Sequence, residues 1–211
     1  MHVNAIPKKI IILISGRGSN LGAIIKYVAN KKINADISCV ISDNIDAQGL
    51  VVAKSSGINI LTIEENNFEP QLLKSVHEYT PDLIVLAGFM RILSAEFISD
   101  FQDKIINIHP SLLPKYKGLN THSRVLSANE SDHGCSVHVV TNELDAGPLI
   151  MQAKVTVEKN DDPESLANKV LQKEHIIYPL VLQLLCEGRI EIKNNNIFYD
   201  NEKITKPIIY N

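Results

Sequence analysis

The chain has 211 residues, 45% hydrophobic and 21% charged, with a net charge of -3 at pH 7. It is long enough to bury a substantial core, and its charge leaves no broad electrostatic footprint for gripping nucleic acid or an anionic membrane. Three cysteines without C-x-x-C spacing, and no apolar stretch of the roughly 20 residues that span a bilayer, lead us to expect a soluble cytoplasmic protein without disulfides.

The first strand is expected at "KIIILIS" (9–15), a continuous β-branched run suited to burial on both faces. The run is too short for a signal peptide and leads straight into "GRGSN" with no cleavage pattern. A helix follows, with Leu21, Ile24, Ile25 and Val28 on one face. Then come strand 37–43, helix 46–57, strand 58–63, helix 68–79 and strand 82–88. This rhythm predicts a Rossmann-like α/β fold, a mostly parallel sheet flanked by helices with right-handed crossovers. Strands at 134–141 and 148–157, joined by "NELDAG", predict an antiparallel pair extending that sheet in the C-terminal half. A long helix opens with Asp162 as N-cap and Pro163 at its first position, and Pro179 is expected to disturb it near residue 175. "GRIEI" and "NIFYD" read as a small terminal hairpin. No repeat or linker is visible, so residues 1–211 are read as one domain.

Four stretches carry candidate chemistry. "SGRGSNL" (15–21) joins the first strand to the first helix, where glycines admit close backbone approach and helix N–H groups can meet a phosphate. The alternative is a plain turn with Ser19 as a cap. In "INIHPSLLPKYKG" (106–118), Asn107 and His109 alternate with apolar residues and point the same way from a strand end. An asparagine amide can donate to an oxyanion and an imidazole can shuttle a proton there. Asp145 in "NELDAGP" is either an ordinary Asp-x-Gly turn residue or, if near His109, a carboxylate that orients the ring and stabilises its charged form. Glu174 falls on the apolar stripe Leu166, Val170, Ile177, Val181, where a carboxylate needs a partner. "HGCSVH" (133–138) sends Cys135 and His138 to opposite strand faces and has no second ligand pair, so no metal is expected.

"LISGRGSNL", "VLAGFMRILS", "NIHPSLLPKYKGLNTH", "SVHVVTNELDAGPLI" and "KEHIIYP" together, in order from about residue 9 to 180, resemble the glycinamide ribonucleotide formyltransferases, a folate-dependent family of purine biosynthesis. The resemblance implies formyl transfer from 10-formyltetrahydrofolate, as cosubstrate, to the amine of glycinamide ribonucleotide, without a metal. It implies a catalytic trio of Asn107, His109 and Asp145. It places the ribonucleotide on Gly18, Ser19, Asn20 and Glu174. It places the folate on Met90, Arg91, Ile92, Leu93, Asn107, Thr141, Asn142, Glu143, Leu144 and Asp145. Arg17 and Leu171 depart from the pattern of several relatives, which puts their ligand contacts in question. Methionyl-tRNA and formyltetrahydrofolate-hydrolysing relatives share the trio. The first is expected to carry an added basic RNA-binding domain and the second an added N-terminal domain. The partners are thus expected to be small molecules, with no nucleic acid and no membrane, and a homodimer stays open.

Overall fold

The computed structural model describes residues 6–64 and 66–211. The first half alternates as its periodicity predicts: β1 (Lys8–Ile14), α1 (Ser19–Ala29), β2 (Ala35–Ser42), α2 (Gln48–Ser55), β3 (Ile60–Thr62), α3 (Phe68–Tyr79) and β4 (Leu83–Leu86). Next come α4 (Ala95–Asp100), β5 (Ile105–His109), α5 (Thr121–Ser127), β6 (Asp132–Val139), β7 (Leu149–Thr156) and α6 (Pro163–Cys186). Four short strands follow, β8 (Ile190–Lys193), β9 (Asn196–Tyr199), β10 (Glu202–Ile204) and β11 (Ile208–Tyr210).

The main sheet has eight strands in the order β11-β7-β6-β5-β4-β1-β2-β3. Strands β1 to β5 run parallel, and β6 lies antiparallel to both β5 and β7, as expected. The terminal hairpin is present as β8 and β9, but it gains β10 as a third strand, and β11 returns to pair with β7. Runs of three residues, such as "EKI" and "IIY", are too short for alternation to register.

Strand β1 shows why its sequence is uniformly apolar. Ile10, Ile12 and Ile14 join Leu21, Leu50, Val170 and Ile177 in the core beneath α1, α2 and α6. Ile11 and Leu13 join Leu72, Val76 and Phe97 in the core beneath α3 and α4. All five are fully buried, each contributing about 1.5–3 kcal/mol by leaving water.

Two helices, α4 and α5, have no counterpart in the sequence periodicity. They have 6 and 7 residues, under two turns, so no 3.6-residue period can show. Helix α2 starts at Gln48 rather than at residue 46, because Asn44 Oδ1 accepts the Asp46 N–H at 2.9 Å and holds a turn there. Asp162 caps α6 as expected, accepting the Ser165 N–H at 2.7 Å, while Ser165 Oγ accepts the Asp162 N–H at 2.9 Å. Pro179 lies inside α6, and the helix nonetheless runs unbroken to Cys186. Pro179 forfeits one backbone bond, but its buried neighbour Tyr178 shares its hydroxyl proton between Leu86 O (2.9 Å) and Ile106 O (3.2 Å). That anchor and the fully buried Ile177, Val181 and Leu182 pack this part of the helix into the core.

Candidate active site

The carboxyl ends of parallel strands are where α/β sheets bind ligands, and β5 ends in Asn107 and His109. Ile106 and Ile108 turn into the core, so Asn107 and His109 share the opposite face. The antiparallel partner β6 sets His138 against Asn107 and Ser136 against His109. Four polar residues therefore cluster on one sheet face.

His109 is buried between two acceptors. Its Nε2 lies 2.9 Å from the Tyr116 carbonyl oxygen, and its Nδ1 lies 3.3 Å from Asp145 Oδ2. Only a ring protonated on both nitrogens donates to both. Asp145 Oδ2 also accepts the Gly118 N–H at 2.8 Å. The turn that brings Asp145 here is tightly constrained. Asp145 is left-handed, with φ 47°, and a Cβ on Gly147 would lie 1.9 Å from Val139 O. Asp145 is thus both a turn residue and a partner of His109.

The loop after β5 folds back over this pair. Ser136 Oγ donates to Ser111 O at 2.6 Å and accepts the Leu113 N–H at 3.0 Å. Gln152 Nε2 donates to Leu113 O at 2.9 Å and to Ser136 Oγ at 2.8 Å. Further along, Lys117 pairs with Glu143 at 2.9 Å, tying the loop to the turn that carries Asp145. The segment 115–126 then enters α5, where His122 Nδ1 meets His133 Nε2 at 3.0 Å. Burial lowers the pKa of both rings, that of His133 to about 4.

The first glycine turn packs against α2. Gly18 has φ 73°, and a Cβ there would lie 2.5 Å from Gly49 Cα. Gly18, not Ser19, is the N-cap of α1, and no side chain caps the helix. Ser19 is its first helical residue, which corrects the capping role expected for it. The first N–H groups of α1 have no intrahelical acceptor, which is the arrangement that favours an anion. Gly18→Ala is expected to destabilise the fold by roughly 1–3 kcal/mol from backbone strain, before the overlap with Gly49. A denaturant midpoint unchanged from the parent would contradict it.

Asn20 and Glu174, far apart in sequence, meet here: Asn20 Nδ2 donates to Glu174 Oε2 at 2.7 Å. Burial pushes the Glu174 carboxyl upward, and the Asn20 bond draws it partly back. An acid with a raised folded-state pKa contributes stability at low pH that is lost as pH rises through that value. Glu174→Gln keeps an acceptor for Asn20 and removes the buried charge. It is expected to stabilise the fold near pH 8 by on the order of 1 kcal/mol, about 2–4 °C in Tm. The gain should shrink as pH falls toward the ordinary carboxylate range, and melting curves at several pH values check this. Arg17 is exposed and Leu171 half-buried.

The residues assigned to folate divide. Met90 and Ile92 are 66% and 78% exposed, and Leu93 is buried. Arg91 Nε donates to Asp43 Oδ2 at 3.0 Å, and its guanidinium lies over the Phe68 ring at 4.5 Å. The Met90 N–H donates to Ser15 Oγ at 2.9 Å, joining this stretch to the end of β1. Thr141 Oγ1 reaches Glu143 O at 3.4 Å. Asn142, Glu143 and Leu144 are exposed beside Asp145. Among the described residues, no group of three or more His, Cys, Asp or Glu side chains could hold a metal ion. Cys135 sits in the core beneath α6, away from the His138 face, its thiol pushed up by burial.

A model of the formyl transferase family matches residues 8–182. The chain belongs to that family. This formyl transferase is 43% identical over 201 residues to the phosphoribosylglycinamide formyltransferase of Escherichia coli (strain K12), covering 92% of this chain and 95% of that one. Its structure resembles the phosphoribosylglycinamide formyltransferase of Coxiella burnetii with a TM-score of 0.91 and 46% identity, covering 97% of this chain and 100% of that one. A formyltetrahydrofolate deformylase from Pseudomonas syringae pv. tomato is also similar, with a TM-score of 0.85 and 25% identity over 93% of this chain and 67% of that one.

Reading the sequence of this formyl transferase missed His138, Ser136 and the loop groups Tyr116 O and Gly118 N. A signal for the first two was present. "SVH" repeats the polar, apolar, polar pattern of "NIH", and two such strands can pair on one face. The backbone groups carry no sequence signal.

Proposed function

We propose that this formyl transferase moves the formyl group of 10-formyltetrahydrofolate to the amine of glycinamide ribonucleotide, releasing tetrahydrofolate. The observation that carries the reading is the convergence of Asn107, His109 and Asp145 at the end of β5, in a chain closely related to enzymes named for this transfer. The α1 N-terminus and the Asn20–Glu174 pair would hold the ribonucleotide, its phosphate on the N–H groups after Gly18. The exposed Met90, Ile92 and Leu144 offer apolar surface that fits the flat ring system of a folate. The folate supplies the formyl group.

Attack by the ribonucleotide amine puts negative charge on the formyl oxygen. The Asn107 amide and the His109 ring would donate to that oxygen, and Asp145 would keep the ring charged and oriented. Nε2 of His109 is engaged by Tyr116 O, so the formyl oxygen must replace or share that acceptor. His109 can then pass a proton toward the departing folate nitrogen, and the proton shed by the attacking amine restores it. An assay with both substrates, following formylated ribonucleotide and free tetrahydrofolate separately, tests the reading. Equal release of both products is the expected result. Tetrahydrofolate released without formylated ribonucleotide would instead mark transfer to water.

A further inference from the structure

We infer that His138 is a positioning residue for the transfer: through Nε2 it fixes which end of the Asn107 amide meets the reacting carbon. The inference rests on the formyl-transfer reading for what Asn107 does, and on geometry alone for how Asn107 is held.

The two residues are direct cross-strand partners on β5 and β6, and His138 is only 2% exposed. His138 Nδ1 lies 2.9 Å from Val139 O. A carbonyl oxygen only accepts, so Nδ1 carries the proton, and a neutral ring then leaves Nε2 as a bare acceptor. That lone pair faces Asn107 Nδ2 at 3.2 Å. It accepts one amide N–H and repels the flipped amide, whose oxygen would face it lone pair to lone pair. Nδ2 keeps a second N–H, the donor an oxyanion requires. Without His138 the two ends of the amide, equal in size, would compete for the site.

The groups around the ring support the neutral form. Burial is the main influence and disfavours charge, as does His109, while the Val139 bond and Asp145 act the other way. Asp145 Oδ1 is 3.7 Å from His138 Nε2, outside hydrogen-bond distance. A charged ring would donate from Nε2, turn toward Asp145 and demand the amide oxygen in place of the amide nitrogen. The state of this one ring thus decides whether Asn107 offers a donor or an acceptor.

Three variants test this. His138→Phe keeps a ring and removes both nitrogens, and His138→Gln restores an acceptor near the Nε2 position. His138→Phe should lower kcat by about 10²-fold, as a misplaced reacting group does, with KM for each substrate within about threefold. His138→Gln should recover to within about tenfold of the parent. Placed on Asn107→Ala, His138→Phe should cost less than about threefold more, since its effect passes through the missing amide. Full kcat in His138→Phe, or an undiminished loss on the Asn107→Ala background, overturns the inference. Histidine nitrogen NMR of the unaltered protein at neutral pH is independent of activity and of whether His138→Phe folds. It should show Nδ1 protonated and Nε2 bare, and a protonated Nε2 overturns the inference by itself. Absence of formylated ribonucleotide with the parent protein counts against the functional reading and leaves this spectrum to decide the geometry.

Discussion

Asn107→Ala and His109→Ala are each expected to lower kcat by about 10²–10³-fold, the usual cost of one oxyanion donor. Ribonucleotide affinity should stay within a few-fold, because neither side chain belongs to the Gly18 turn or the Asn20–Glu174 pair that would hold that substrate. The two variants differ in their side effects. Asn107→Ala leaves His138 Nε2 without its only hydrogen-bonded neighbour on β5. His109→Ala releases the Tyr116 carbonyl and one contact of Asp145, so the loop over the site loses a tie. Melting curves should accompany the kinetics, and calorimetry should supply the affinities. Turnover close to the parent in either variant would remove that residue from the proposed trio.

Asp145→Asn should have the larger effect, on the order of 10³-fold in kcat or more, since an orienting carboxylate beneath a working histidine is worth up to about 10⁴ elsewhere. One oxygen, Oδ2, serves both Gly118 N–H and the His109 ring. An amide with its oxygen at that position can still accept from both groups, but it carries no charge. The His109 ring then loses its counter-charge while the bond at Gly118 is kept. The measurement is kcat of both proteins at saturating substrate, paired with histidine nitrogen NMR at the assay pH. A His109 ring with the same nitrogen signals in parent and variant would break the pairing.

The features legible in the sequence are those set by spacing along the chain. A β-branched run buried on both faces, helices with a 3.6-residue apolar period and short connections specify parallel strands with crossovers, and β1 to β4 follow them. The period of two along β5 puts Asn107 and His109 on one face whatever the strand packs against. The stripe on α6 marks Glu174 as buried and in need of a partner. Even the weak features obey this limit: α4, α5, β10 and β11 are each shorter than two periods of their pattern, so no repeat marks them.

What the sequence leaves open is every closure between distant segments. Asp145 could have been only a turn residue until the antiparallel course of β6 and β7 brought its carboxylate to His109. Asn20 is the partner Glu174 needed, across 154 positions. Pro179 is expected to disturb α6, yet the helix runs on to Cys186 with Tyr178 buried in the core beside it. The contacts of His138 with Asn107 and of the Tyr116 carbonyl with His109 join a side chain to a group whose position no local pattern encodes. Local propensity acts over a few residues and is written in their order. The site depends on where strands pair and loops return, which is settled only when the core packs.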